Sequence, residues 1–389
     1  MVQYSSIRYW SSPKTKRRAI DRLIKLRAAL QTEVKAKRGE GSILLATWNL
    51  RDFDNNKFGH GPRLDESYLY LAEIISAFDI VALQEINRSL KPLKKLVSFL
   101  GKRDWDYMVT DTTEGSSGNQ ERMAFVYNKH RISFGHIAGE VVLPGTKDRQ
   151  FARTPFLAAF QAGWFKFNLC TVHMYFGSGS DGKERRVKEI SDLAKFVNKR
   201  QKKETEDYIL LGDFNIVSES DDTMKALTDQ GFTMHEELMR VGTTLKGENP
   251  YDQIALKVKN KMLELGDAGV FDFEKHVFAA GDHEDYRGSA AQAKKTPGLI
   301  TPAKEGKHVA QVKARAQKAA DKAGKPLVWN DKKIAAARKD YYLKFWRSFQ
   351  ISDHKPIWVE LKVDFAKDYL LSLRPKEKPL ADFKKDEDE

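Results

Sequence analysis

Eight side chains suited to phosphate and hard cations stand at the ends of apolar runs in this sequence. Asn49 closes the run 43–50, Glu85 closes 79–86 and His173 closes 164–174. Asp213 and Asn215 end and follow 208–214, Asp252 opens 251–258, and Asp353 with His354 opens 351–363. The chemistry such a set serves is phosphoester hydrolysis, which must activate water, neutralise charge on the phosphoryl oxygens and stabilise a leaving oxygen. Mg²⁺ prefers oxygen ligands and keeps several waters, so one or two carboxylates and an amide suffice to hold it. Bound there, it polarises a phosphate as a Lewis acid. A histidine, with a reference pKa of about 6.5, takes or gives a proton near neutrality. A nearby carboxylate fixes its tautomer and steadies its cation. Asp and Asn also end strands as plain turn formers. The number and order of the set, with two histidines in it, point instead to a site at strand ends, where α/β folds gather their ligands.

The elements that must position these residues are legible as alternating apolar runs and amphipathic windows. Strands are predicted at 43–50, 79–86, 122–128, 156–162, 164–174, 208–214, 251–258 and 351–363, each rich in aliphatic and aromatic side chains and mostly bounded by polar residues or Gly. Helices are predicted at 65–78, 88–100, 183–201 and 219–230, the first opening on Asp65-Glu66, acids well placed at a helix N-terminus. Strands and helices interleave, so the class is α/β or α+β with a mixed sheet. A further helix is expected over 14–38, with Ile20, Leu23, Leu26, Leu30 and Val34 on one face and Arg27 interrupting it. Segment 331–349 reads as a helix docking Ile334, Tyr341, Tyr342, Phe345 and Phe349 onto the body. The Ala/Lys-rich stretch 288–330 has little to bury and is expected to be a solvated helix or a disordered arm. The organisation is therefore a basic N-terminal helix (1–40), a catalytic body (41–286), a basic insertion (287–347), a last catalytic strand (348–363) and a frayed charged tail (364–389).

Charge is partitioned along the same lines. The 389 residues carry a formal +13, yet segment 1–40 alone nets +8 and segment 287–347 nets +12, leaving −7 for the rest. An acidic body with two basic additions favours a polyanionic partner, nucleic acid above all, reached through 1–40 and 287–347. Hydrophobic residues at 41% exclude global disorder, and the single cysteine, Cys170, excludes a disulfide framework or a four-thiolate zinc site. No run reaches the roughly 20 apolar residues of a transmembrane segment, and the first 20 residues lack a secretory apolar core. A cytoplasmic protein is expected; the basic, Ser-containing start is also compatible with an organelle transit peptide.

The series TWNLR (47–51), ALQEI (82–86), TVHM (171–174), LGDFN (211–215), YDQI (251–254) and ISDHKP (351–356) resembles the endonuclease/exonuclease/phosphatase superfamily. FARTPF (151–156), ERMAFVYN (121–128) and the VGTT…YDQI spacing (241–254) are similar to its deoxyribonuclease I branch. The resemblance implies a two-sheet β-sandwich flanked by helices, here with a basic helical insertion. It implies Mg²⁺ or Mn²⁺ held by Glu85 with Asn49 and Asp353, and His354 as general base oriented by Asp252. His173 would stabilise or protonate the phosphate or leaving oxygen, partnered by Glu121. Asp213 and Asn215 would position phosphate and water or help hold a second metal, and Arg51, Arg153 and Thr244 match phosphate-contacting positions, although Arg153 also reads as a surface ion pair. The chain departs from that branch in having Asn87-Arg88 where an Arg follows the metal Glu by two residues, and Asn119 in place of an aromatic wedge. The expected function is divalent-metal-dependent phosphodiester hydrolysis, by a nuclease acting on DNA or RNA. The alternatives are a phosphatase or phospholipase-type phosphodiesterase acting on a phosphoinositide or other small phosphoester, and a non-catalytic nucleic-acid-binding protein. His60 reads as a loop histidine, 177–182 as a flexible loop on the substrate rim, and the other histidines show no partner pattern.

Overall fold

A computed structural model describes residues 1–374 except 54, 114–118, 144–149, 246 and 248. The chain first lays down β1 (Ser42–Phe53), β2 (Ile80–Ile86), β3 (Trp105–Val109) and β4 (Arg122–Asn128) in one sheet. It crosses to a second sheet for β5 (Ser133–Glu140), β6 (Phe156–Ala162), β7 (Phe165–His173), β8 (Asp207–Asp213), β9 (Thr233–Met234) and β10 (Asp252–Lys257). It then returns with β11 (Glu264–Val270) and β12 (Ile357–Lys362). The sheets are ordered β11-β12-β1-β2-β4-β3 and β5-β6-β7-β8-β10-β9. Each has one parallel pair near its centre, β1–β2 and β7–β8, among antiparallel neighbours. The expected mixed-sheet sandwich is the fold.

Alternation along the strands builds three layers. Ile43 and Leu45 of β1, Ile80 and Ala82 of β2, Phe167 and Leu169 of β7, and Ile209 and Leu211 of β8 fill the space between the sheets. The intervening Leu44, Ala46, Trp48 and Leu50 face α1 (Pro13–Glu33), α2 (Asp65–Ile75) and α3 (Lys91–Leu100) on one outer face. Cys170, Val172, Tyr208 and Leu210 face α4 (Gly179–Gln201) and α5 (Asp222–Thr228) on the other. A short α6 (Glu236–Arg240) precedes β10.

Several details differ from expectation. In α1, which starts on a Ser12 cap and Pro13, it is Ala19 that is buried with Leu23, Leu26 and Leu30, while Ile20 is exposed. Arg27, which breaks the stripe, pairs with the buried Glu73 at 2.8 Å. Helix α4 begins at Gly179, so four of the six residues of the expected 177–182 loop are its first turn. The last strand begins at Ile357, leaving Asp353 and His354 in the approach to it. The insertion is ordered as α7 (Ala290–Lys295), α8 (Pro302–Lys322) and α9 (Asp331–Tyr341). A wide π-type turn over Tyr342–Trp346 and α10 (Arg347–Gln350) follow. That turn shifts the docking face, so Trp346 is fully buried with Tyr342 and Phe349, while Ile334 and Phe345 are only half-buried. Part of the tail is helical, as α11 (Ala366–Ser372), and residues 375–389 lie outside the described residues. Among the described residues no helix is long and apolar enough to cross a membrane.

Candidate active site

Strand register brings the predicted residues to one end of the sandwich. His173 of β7 lies opposite Asp213 of β8, which in turn lies opposite Asp252 of β10. By the period of two, all three share the inward face with Leu169, Leu211 and Ile254. Asn49 reaches the same space from β1. Below this row a polar layer joins the sheets, with the Gln84 amide donating to Thr47 Oγ1 and to Thr171 Oγ1, each at 2.9 Å. Glu85, one residue beyond Gln84, ought to face outward. Its left-handed backbone (φ 58°) coincides with a break in register between Leu83 and Ile86 and turns it into the site. Arg51, Asp52 and Asn215 are also left-handed, at φ 45°, 49° and 55°, so four strained non-glycine residues cluster at this one end.

Two histidine–carboxylate pairs face one another here. His354 Nδ1 lies 2.7 Å from Asp252 Oδ2, and its Nε2 lies 3.8 Å from Asp213 Oδ2. His173 Nδ1 stands 2.9 Å from Glu121 Oε2, and its Nε2 lies 3.7 Å from the same Asp213 oxygen. Burial opposes the His354 cation, but Asp252 first, then Asp213 and Asp353, outweigh it and hold this imidazole well above its usual range. Burial likewise opposes the Glu121 charge, and His173 and Arg153 together still draw its carboxyl down to about 2.

Glu85 is held from both sides, accepting from Asn49 Nδ2 at 3.0 Å and from the Asp52 amide at 2.7 Å. Asn49 Nδ2 also donates to Asp213 Oδ2 at 3.1 Å, while its Oδ1 accepts from the Arg51 amide. The side chain thus spans two carboxylates as a donor. Asp353 pairs with Arg51 (3.4 Å) at the rim. Asn215 donates to Met174 O at 3.0 Å and fixes the β8 exit against β7. Arg153, expected to contact phosphate or sit on the surface, is buried and donates to Glu121 at 2.6 Å. Thr244 forms an isolated bridge with His354. Asp213, Asp252 and His354 are close enough to hold a metal, and Asp252 Oδ2 already lies 2.7 Å from His354 Nδ1. The Glu85 carboxylate, whose neighbours here are the N–H groups of Asn49 and Asp52, offers the kind of oxygen ligand a hard divalent cation prefers.

Supporting residues escaped the sequence reading. Thr243, beside the predicted Thr244, donates to Asp252 at 2.6 Å and is the group that orients it. Ser352 accepts from the His354 amide at 3.0 Å, and Trp48 Nε1 donates to His354 O at 2.8 Å. Buried Arg63 donates to the carbonyls of Leu50, Arg51, Asp52 and Ile351, joining the two segments that carry the site. Asn87, at the departing position, donates to Asp52 at 2.8 Å.

A two-sheet sandwich with facing histidine–carboxylate pairs defines a class of phosphoester hydrolases. Residues 46–289, more than half of the chain, match the Endonuclease/Exonuclease/phosphatase family, and the chain belongs to that family. Deoxyribonuclease-1 of Sus scrofa is 26% identical over 180 residues, covering 45% of this chain and 60% of that protein. Deoxyribonuclease-1-like 1 of Sus scrofa is 27% identical over 216 residues, 52% of this chain and 65% of that protein. The chain therefore spans about three fifths of the curated relatives it matches, and these belong to the branch its motifs resemble. Among solved structures, an endonuclease/exonuclease/phosphatase family protein from Bacteroides thetaiotaomicron is 19% identical with a TM-score of 0.49, covering 82% of this chain and 97% of the other. A mannosyl-6-phosphatase of the same organism is 18% identical with a TM-score of 0.49, covering 82% and 99%.

Proposed function

We propose that this chain is a divalent-cation-dependent phosphodiesterase acting on nucleic acid, DNA or RNA. The observation that carries the reading is the convergence of two histidine–carboxylate pairs on Asp213, at 3.7 and 3.8 Å, opposite the Glu85–Asn49 contact. In its neutral form His354 takes the proton of the attacking water at Nε2, because Nδ1 is committed to Asp252, and the nearby carboxylates then hold the resulting cation. Asp252 is held for that task by Thr243. His173 steadies or protonates the phosphoryl or leaving oxygen, partnered by Glu121 at 2.9 Å. Asp213 and Asn215 order the water and phosphate, with Arg51 and Thr244 at the rim, while Arg153 acts by holding Glu121. Glu85, with Asn49 and Asp353 beside it, would hold Mg²⁺ or Mn²⁺, which when bound supplies Lewis-acid polarisation of the phosphate.

Nucleic acid is favoured over a small phosphoester by the deoxyribonuclease names of the curated relatives and by the basic insertion. The N-terminal segment contributes less than its charge suggests, since Arg18, Arg22, Arg27 and Arg38 are paired with Glu66, Asp282, Glu73 and Asp79. A cytoplasmic setting agrees with the buried, unreactive Cys170 thiol, whose pKa burial drives upward. The test is a panel of plasmid DNA, single-stranded DNA, RNA and inositol phosphates with Mg²⁺, Mn²⁺ or EDTA. Cation-dependent cleavage of a nucleic acid, lost in His354→Ala, is expected. Turnover of inositol phosphate alone would replace this reading with the phosphatase one, and cation-independent binding without product would replace it with a binding protein.

A further inference from the structure

Helix α8 has two unlike faces. Glu305, His308, Val309, Val312, Ala316 and Ala320 form its buried or half-buried side, Lys304 at its first turn is half-buried as well, and its root is fixed by polar contacts. Glu305 meets His283 at 2.7 Å and Arg287 at 3.1 Å, and His308 meets Asp340 of α9 at 3.0 Å. Lys304, Lys307, Arg315, Lys318 and Lys322, with Gln311 in the gap, follow a spacing of three or four residues. At about 100° per residue they fall within one narrow strip of the helix surface, running about 27 Å from Lys304 to Lys322. Lys307, Arg315, Lys318 and Lys322 are exposed, and no ion pair is made by any of them among the described residues. Of the two acids on α8, Glu305 is buried and Asp321 is held by Gln317 at 2.7 Å.

The strip begins beside the candidate active site. Lys304 Nζ donates to Gly61 O at 2.9 Å, in the loop that follows β1. His60 of that loop packs against Tyr341, Phe345 and Phe349, and Ser348 accepts from Arg51. Burial, Arg51, Lys304 and His308 together depress the His60 pKa to about 4, which marks a positive field at the root. From there α8 runs outward to its turn into α9.

We propose that this strip is a track for the sugar–phosphate backbone of a nucleic acid, carrying it outward from the scissile phosphate. The inference rests on the nucleic-acid reading of the site. At about 3.4 Å per phosphate along a duplex strand, the strip spans roughly eight base pairs. A bilayer is the poorer partner, because the face of α8 opposite the cations is covered by α9 and offers no apolar surface to bury in lipid.

The test replaces Lys307, Arg315, Lys318 and Lys322 together with glutamine. A control replaces Lys166, Lys199, Lys202 and Lys203, exposed residues toward the opposite end of β7 and β8, for the same loss of charge. Binding to a 30-base-pair duplex is measured by fluorescence anisotropy across KCl in EDTA, with helicity checked by circular dichroism. The strip variant should bind roughly tenfold or more weakly at low salt, and its log K against log salt slope should fall by about 3 to 4, near 0.9 per phosphate contact. The control should keep the wild-type slope. An unchanged slope, or equal losses in both variants, would overturn the proposal. So would binding to phosphatidylserine vesicles that depends on the strip when duplex binding does not. Because EDTA removes turnover from the binding measurement, the two readings separate: strip-dependent binding in EDTA with no cleavage after Mg²⁺ or Mn²⁺ is restored would defeat the hydrolase reading and leave the track standing.

Discussion

Replacing Glu121 with glutamine removes a carboxylate that is 5% exposed and touches Arg153 at 2.6 Å and His173 at 2.9 Å. In the folded chain its pKa drops from 4.5 to about 2. A carboxyl depressed in the folded state stabilises fully above its unfolded pKa and loses that contribution as pH falls through the folded value. The lowering of about 2.5 corresponds to about 3 kcal/mol at pH 7. By the same relation almost all of it persists at pH 4.5 and roughly half at pH 3. Glu121→Gln should therefore be less stable than wild type by about 2–3 kcal/mol at neutral pH, the amide oxygen recovering part of the Arg153 contact. The gap should close toward pH 2, where wild type has lost the same charge. Urea denaturation at pH 7, 4.5 and 3 reads this directly. A gap that is absent at pH 7, or that stays constant down to pH 3, would refute the account of Glu121 as a charged anchor.

Four other substitutions probe the site. Glu85→Ala and His354→Ala should each lower phosphodiester turnover by about 10³-fold or more while leaving the thermal melt close to wild type, as measured with Mg²⁺ on whichever substrate the panel identifies. Asp252→Asn should keep the fold but cut kcat by about 10²–10⁴-fold with a smaller change in KM, because the amide no longer steadies the His354 cation; equal activity would remove Asp252 from the mechanism. Gly212, between Leu211 and Asp213, has φ 140°, and a Cβ there would stand 2.1 Å from Val172 O. Gly212→Ala should thus spread β7 from β8, costing about 1–3 kcal/mol of stability and disturbing His173 and Asp213 together.

The central strands were legible because both their faces are buried, so apolar runs and their polar ends stand out without any knowledge of partners. The edge strands were not. Ser133–Glu140 and Glu264–Val270 are largely exposed and carry glycines and charges in place of alternating apolar residues, and Trp105–Val109 is only five residues long. Type and order identified the residues that meet at the site, but not which way they turn. The inward swing of Glu85 depends on a left-handed backbone, and the donor role of the Asn49 amide depends on two carboxylates distant in sequence. His283 and His308 showed no partner pattern, yet they bind Glu305 and Asp340, 22 and 32 residues away. Contacts between separate helices leave no periodic trace in the chain.

The left-handed conformations of Arg51, Asp52, Glu85 and Asn215 bear on how this protein ages with heat. Each is a shape its residue type adopts reluctantly, sustained only while neighbouring hydrogen bonds insist on it. The end of the sandwich that performs the chemistry is therefore its least relaxed part, and the helices and inter-sheet core lie elsewhere. On warming, that end should loosen first, so activity should fade at temperatures where circular dichroism still records an intact fold. Selection for thermal endurance would tend to relax these four positions, and the resulting chain would keep its shape longer while working more slowly.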